Sequence, residues 1–270
     1  MTAAVHLAGL VHVYPDGTRA VDGVDLEVAA GESVAIIGQN GSGKSTLVRH
    51  LNGLLRPTEG SVLVDGVDAA GLRVAQLARH VGLAFQDPDR QIFSGRVKAE
   101  VAFGPRNLGL RGPGLDEAIG RALSAVGLAD QASTNPYDLG YSRRKLLTLA
   151  SVLAMGTPIV VLDEPTTGQD APGIARIQGV IGGLTAEGRT VIAISHDLRF
   201  VAESFGRVVV MRAGRIVLDG PPVGVFAEHN WPVLASTNLE PPPPALVGGR
   251  LGLGSTPTLD ALLDALARRA

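Results

Sequence analysis

The sequence predicts an α/β protein whose core is a doubly wound, mostly parallel sheet carrying a helical insertion. Three observations support that prediction. The runs Pro158 to Asp163 and Thr190 to Ser195 are nearly all apolar, as strands buried on both faces must be. A third apolar run, Ser33 to Ile37, leads into the glycine-rich stretch Gly38-Gln39-Asn40-Gly41-Ser42-Gly43-Lys44-Ser45-Thr46, and Thr46 to Leu51 beyond it reads as a helix. Helical patterns separate these runs along the chain, which is the alternation of an α/β sheet.

The other elements follow in order. Val5 to Tyr14 and Ala20 to Val28 alternate in polarity around Pro15-Asp16-Gly17, which suggests an antiparallel pair. Ser61 to Val64 is a strand before the turn Asp65-Gly66. From about Asp87 to Met155 the pattern is helical and interrupted by glycine, with Leu115 to Val126 and Arg144 to Ala154 its clearest helices. Val208 to Met211 and Arg215 to Leu218 form a closing hairpin through Ala213-Gly214. In the tail, Pro241 to Pro244 reads as a short stiff linker of polyproline character. Thr258 then caps a small amphipathic helix with Leu259, Leu262, Leu263 and Leu266 on one stripe. That stripe either docks on its own domain or pairs with another chain. The expected division is one domain over 1–228, with the helical insertion at about 87–155, and a C-terminal linker and helix over 229–270.

Composition narrows the possibilities. At 270 residues the chain can bury a substantial core. Its net charge is −2 and its pI about 6.3, so no global basic field points to nucleic acid. There is no cysteine, which excludes disulfides and thiolate metal ligands and fits a reducing compartment. The start, Met1-Thr2-Ala3-Ala4-Val5-His6, lacks the basic and apolar regions of a signal peptide. No run approaches the roughly 18 apolar residues of a spanning helix, so the chain is expected to be soluble and to reach a membrane only through a partner.

The stretch Gly38 to Thr46 fits the pattern G-x-x-x-x-G-K-[ST] between a strand and a helix. Glycines there let successive backbone N–H groups turn toward phosphate oxygens beside the positive end of a helix. Lys44 can neutralise the β- and γ-phosphates of a nucleoside triphosphate, and Ser45 can offer its hydroxyl to Mg²⁺. The pair Asp163-Glu164 ends an apolar strand, at the edge where open α/β sheets bind ligands. Asp163 can hold Mg²⁺ and Glu164 can polarise the water that attacks the γ-phosphate. His196 closes another apolar strand in the same way. Gln86 follows the strand run Val81 to Phe85, and its neutral amide can reach Mg²⁺ or the attacking water without adding charge.

Together these parts resemble the ATP-binding cassette (ABC) ATPases, the nucleotide-hydrolysing subunits of membrane transporters. The resemblance covers about residues 5 to 226. It implies a RecA-like P-loop NTPase core with an antiparallel β subdomain and an inserted helical subdomain. It further implies that Tyr14 stacks on adenine, where the plain reading is a surface strand tyrosine. Gln86 corresponds to the Q-loop glutamine, Asp163-Glu164 to the Walker B pair and His196 to the switch histidine that contacts the γ-phosphate. Two such subunits close head to tail with ATP between the phosphate loop of one and the signature helix of the other. Finer details, Phe85 to Phe93, Val101 to Leu110, Gln39 and the proline-then-helix tail, look like the energy-coupling factor group and its cobalt and nickel relatives. That implies a peripheral place at the cytoplasmic face of the membrane. An integral scaffold subunit would dock on Gln86 to Phe103, and a separate membrane subunit would capture a vitamin or transition-metal ion.

Two segments depart from the family pattern. Leu-Ser-Gly-Gly-Gln is expected where this chain has Leu139-Gly140-Tyr141-Ser142-Arg143, so the serine and central glycine are gone and arginine replaces glutamine. Arg143-Arg144-Lys145 reads either as a solvated cationic face or, at Arg143, as a substitute phosphate contact. In Gly168-Gln169-Asp170 the usual leucine before the aspartate is replaced by Gln169. A homodimer would carry two degenerate signatures, so pairing with a second, different ATPase subunit is favoured. The leading expectation is a Mg²⁺-dependent ATPase driving import; the alternative is a nucleotide-binding regulatory half. A soluble cassette protein of DNA repair or translation lacks support, because no coiled-coil insertion or tandem cassette is present.

Overall fold

The computed structural model describes residues 3–269; Met1, Thr2 and Ala270, the outer ends of the two expected segments, lie outside the described residues. β1 (Ala3–Val13) and β2 (Arg19–Ala29) form the expected antiparallel pair, joined by the turn around Gly17. β3 (Ser33–Ile37) runs into the glycine loop, and α1 (Lys44–Leu51) leaves it two residues earlier than the periodicity predicts. β4 (Glu59–Val64) and β5 (Val67–Asp68) close the small sheet, whose order is β2-β1-β4-β5. The short α2 (Val74–Leu77) leads to β6 (Val81–Ala84).

The helical insertion then holds α3 (Val97–Asn107), α4 (Gly112–Ala125) and α5 (Tyr141–Ala154). β7 (Ile159–Asp163), α6 (Ala171–Ala186), β8 (Thr190–Ile194) and α7 (Leu198–Ser204) return to the core. The hairpin β9 (Arg207–Arg212) and β10 (Arg215–Gly220) completes the large sheet, in the order β10-β9-β3-β8-β7-β6. All its neighbours are parallel except the edge strand β10.

The alternation of each parallel strand divides the interior in two. Val34, Ile36, Ile159, Val161, Ile192 and Ile194 face the small sheet and α1. Ala35, Ile37, Val160, Leu162, Val191 and Ala193 face the helices. Both faces are covered, so these strands carry no polar residue in their middles.

The tail differs from its sequence reading. After α8 (Pro222–Val225) comes α9 (Trp231–Ala235), then α10 (Pro243–Arg250) and α11 (Leu259–Ala267). Pro241–Pro244 is therefore not all linker: Pro243 and Pro244 open α10. A proline suits the first helical turn, where its missing N–H has no partner to lose. Phe226, Leu234, Leu239 and Ala245 join the larger core, so the tail packs on the body of the protein. Thr258 caps α11 by accepting from the Ala261 amide. α11 buries Leu262 and Ala265 while Leu259, Leu263 and Leu266 stay exposed.

One buried polar cluster lies directly behind the glycine loop. The Nδ1 of His50 donates to Thr46 O at 2.8 Å, and the Nδ1 of His12 to Arg56 O at 3.0 Å. The Nε2 of His50 then faces His12 Nδ1 at 3.2 Å as an acceptor, which fixes His50 in its neutral form. Burial, with His12 adding to it, lowers the His50 pKa below its ordinary 6.5. Below that pH the unfolded chain takes up a proton that the folded chain resists, so stability falls as the medium acidifies. The wild-type thermal midpoint is expected to drop between about pH 7.5 and 5.5, and His50→Leu to flatten that drop. An equal drop in both proteins assigns the effect elsewhere.

Candidate functional site

The glycine loop is shaped by two positions that admit no side chain. At Gly38, φ is 149° and an added Cβ would stand 2.3 Å from Met211 O. At Gly43, φ is 101° and the Cβ would stand 2.2 Å from Ala20 O. Both contacts are with backbone, which cannot swing away. The loop therefore wraps tightly onto the N-terminus of α1, where free amides collect. Lys44 is only 7% exposed, and its Nζ donates to Gly38 O at 2.7 Å and Gln39 O at 3.0 Å. Burial lowers its pKa, while the charges of Glu164 and Asp163 oppose that shift. An anionic ligand in the loop would give this ammonium stronger partners than two carbonyls.

Two buried carboxylates face that lysine. Asp163 ends β7 opposite Ile194 of β8, and Glu164 follows it; each is 8% exposed. Glu164 adopts a left-handed conformation, φ 49°, held by its N–H donating to Ile194 O at 2.9 Å. His196, at the end of β8, places Nδ1 2.8 Å from Glu164 Oε2. The approach is off the line a hydrogen bond needs, so this Oε2 is left without a donor. Asp163 Oδ1 is also buried without a partner. Burial and the neighbouring Glu164 charge raise the Asp163 pKa; Arg49, Lys145 and Lys44 pull it back.

Unpartnered buried acceptors beside a lysine are what a divalent cation with a phosphate ligand would satisfy. Among the described residues no cluster of three His, Cys, Asp or Glu side chains could hold a metal by itself. The residues present fit Mg²⁺, which needs few protein ligands when phosphate oxygens and water complete its octahedron. Asp163, Ser45 and Gln86 are the ones that would hold it.

The structure gathers almost every residue that the sequence singled out. A cleft of about 830 Å³ is lined by Tyr14, Gly38 to Thr46, Gln86, Glu164 and His196. Asp163 lies just beneath rather than on its wall. Tyr14 shares a hydrogen bond with Thr46 Oγ1 at 3.0 Å and stands edge-on to His12, so its ring is anchored over the start of α1. Arg19, Asn238 and Leu239 also line the cleft and were not anticipated. Asn238, at φ 54°, donates to Gln39 Oε1 at 2.8 Å. An asparagine tolerates that conformation, but only tertiary folding brings the tail to the loop.

The cationic run after Gly140 is not a solvated face. Arg143 alone is free to solvent; Arg144 pairs with Asp89 at 3.3 Å, and Lys145 is buried, 5% exposed. Helical spacing turns three consecutive residues to three directions, so the run cannot stay on one face. The two segments that depart from the family pattern also meet. Ser142 Oγ donates to Gln169 Oε1 at 2.8 Å, and Gln169 Nε2 donates back to Ser142 O at 3.0 Å. The Tyr141 ring lies over Gly168, where a Cβ would come within 2.6 Å of it. Gln169 is thus the matched partner of Ser142, and Gly168 makes room for Tyr141.

The paired carboxylates carry a stability cost in the absence of ligand. Because the Asp163 pKa is raised, its charged form is disfavoured by folding at neutral pH. Asp163→Asn is expected to raise the thermal midpoint of the nucleotide-free chain by about 2–4 °C. A lower midpoint would show that Asp163 is needed to hold Lys44 and Lys145.

Comparison with known proteins identifies the family and the fold. The family model described as ABC transporter matches residues 21–167. The energy-coupling factor transporter ATP-binding protein EcfA of Methanothermobacter thermautotrophicus is 42% identical over 229 residues, 83% of this chain and 73% of that one. An ABC transporter ATP-binding protein of Geobacter sulfurreducens is 42% identical over 238 residues, 88% of this chain and 94% of the other. Against a longer relative from Caldanaerobacter subterraneus, 41% identical, the chain spans 42% of that protein's length. The solved structure of cbiO1 from Clostridium perfringens, part of the ABC transporter complex cbiONQ, superposes with a TM-score of 0.77 at 34% identity, covering 88% of this chain and 95% of the other. A dimeric ATP-binding cassette bound to ADP and Pi shares the fold, at TM-score 0.74 and 24% identity over 80% of this chain and 98% of that one. With the phosphate loop, the paired carboxylates and the strand-end histidine at one cleft, the chain belongs to the ABC transporter family, as an ATP-binding subunit of the ATPase type.

Proposed function

We propose that this chain is the ATP-hydrolysing subunit of an energy-coupling factor type importer, powering uptake of a vitamin or a transition-metal ion such as cobalt or nickel. The observation that carries the proposal is the cleft in which Lys44, Glu164 and His196 converge at the ends of three parallel strands. Lys44 and the loop amides bind the phosphates, Tyr14 stacks on adenine, and Glu164 takes the proton of the attacking water. His196, with Nδ1 2.8 Å from Glu164 Oε2, is placed to orient that carboxylate and to contact the γ-phosphate once ATP is bound. Mg²⁺, which Asp163, Ser45 and Gln86 would hold, would supply neutralisation of phosphate charge. The likeness to EcfA and cbiO1 supports the importer type.

A docking surface for the membrane scaffold is part of this reading. Phe93 and Phe103 are 59% and 50% exposed, and their rings stack edge to face at 4.7 Å. Tyr137 stands nearby, its hydroxyl donating to Ile92 O. Large exposed aromatics grouped on one face favour an apolar partner such as a coupling helix. No described helix is long and apolar enough to cross a membrane, so the proposed place is peripheral, at the cytoplasmic face. The proposed division keeps 1–228 as the ATPase domain and 229–270 as an appended segment.

The assembly we favour is a heterodimer with a second ATPase subunit. Its support is the segment 139–143, where Tyr141 stands in place of the small residue that lets a helix end approach phosphate. The same observation favours one second reading, a regulatory half that closes on ATP without turnover of its own. Single-turnover hydrolysis in the assembled complex separates the two.

Three outcomes are expected. Lys44→Ala abolishes ATP binding or turnover, whereas Glu164→Gln keeps binding and loses turnover by at least about a hundredfold. Hydrolysis at the wild-type rate by either variant would overturn the roles of Lys44 and Glu164. Glu164→Gln protein, weighed by light scattering with ATP bound, is expected to remain a monomer. An ATP-dependent dimer would overturn the heterodimer and favour a homodimeric pump.

A further inference from the structure

Among the described residues, Lys145 is a buried cation behind the cleft that the proposed mechanism leaves idle. It projects from α5, two residues past the segment that departs from the family pattern, toward the turn that follows β7. Its Nζ donates to the carbonyl of Glu164 and, at 3.1 Å, to that of Thr167. The Thr167 amide in turn donates to Glu164 O at 3.3 Å. The ammonium therefore closes the turn Glu164-Pro165-Thr166-Thr167 from inside.

That turn holds a strained residue. Glu164 sits at φ 49°, a region that residues with a Cβ populate sparsely and that persists only where the surroundings fix it on several sides. On one side its N–H is held by Ile194 O; on the other its carbonyl is held by Lys145. Without the second hold nothing else in the described structure pins the Glu164 carbonyl apart from the long Thr167 contact. Burial lowers the Lys145 pKa to about 8, with the charges of Glu164 and Asp163 opposing that shift. A lysine placed at such a cost points to a task that a neutral side chain would not perform.

We propose that Lys145 is a positioning residue of the hydrolytic centre, clamping the Glu164–Thr167 turn so that the strained Glu164 backbone aims its carboxylate into the cleft. The inference rests on the hydrolytic reading of Glu164. Lys145 touches no substrate and acts through Glu164. Ser142 and Gln169 tie the same helix to the next part of the same loop, so α5 holds the loop 164–169 at both of its ends.

The test compares wild type with Lys145→Met and Lys145→Arg, each in the assembled complex with its partner subunits, using Glu164→Gln as the hydrolysis-dead control. ATP affinity and turnover with MgATP are measured first. Lys145→Met is expected to bind ATP within about twofold of wild type and to lose at least about tenfold in kcat with KM unchanged. Lys145→Arg, which keeps the charge and donors, is expected to recover most of that loss. Turnover of Lys145→Met within about twofold of wild type overturns the proposal, as does a parallel loss of ATP affinity and turnover, which marks a purely structural residue.

A second readout needs no turnover. Amide hydrogen exchange at Thr167 is expected to quicken by at least about tenfold in Lys145→Met while α6 stays protected. Unchanged exchange there overturns the clamp. If the wild-type complex hydrolyses no faster than the Glu164→Gln complex, the hydrolytic reading fails, and the exchange comparison still decides whether Lys145 holds the turn.

Discussion

Parallel pairing of β3 with β8, and of β8 with β7, ends three strands at one edge of the sheet. Ile36 lies beside Ile194, and Ile194 beside Asp163, so the residues just past each strand emerge within reach of one another. The glycine loop, the carboxylate pair and His196 are these three exits. Each strand is held in register by alternating side chains that fill two separate cores, and a slip of one residue would exchange the cores. The chemistry of the cleft thus depends on packing that lies entirely behind it.

The electrostatics of the cleft follow from its burial. Lys44, Lys145, Asp163 and Glu164 are all nearly excluded from water. Burial acts on both signs: it lowers the two lysines and raises Asp163. The unpartnered oxygens of Asp163 and Glu164 are a second mark of a site organised for something other than its own stability. A ligand bringing phosphate charge and a divalent cation would satisfy both.

The departures from the family pattern form a compensated set. Ser142 and Gln169 exchange two hydrogen bonds, and Gly168 lies under Tyr141. Two changes that look independent along the chain are one contact in space. In the proposed assembly this contact faces the second ATPase subunit, which is why it bears on the choice of partner.

Much of this is legible in the residues. The phosphate loop between a strand and a helix, the apolar strands ending in Asp163 and His196, and the closing hairpin all follow from local pattern, because buried strands and glycine turns leave signatures within a few residues. The tail departs from its sequence reading at Pro243 because proline is as suitable for the first turn of a helix as for an extended linker. The run Arg143 to Lys145 departs from its reading because three adjacent charges look alike until a helix turns them apart. Neither Asn238 beside Gln39 nor Lys145 beneath Glu164 has any local signal, since each contact joins distant parts of the chain. The sequence by itself determined the fold class and the identity of the phosphate-binding and carboxylate groups. Only the tertiary structure decided which cation is buried, which departures pair and how the tail meets the loop, because burial and contact are properties of packed elements and not of neighbours in sequence.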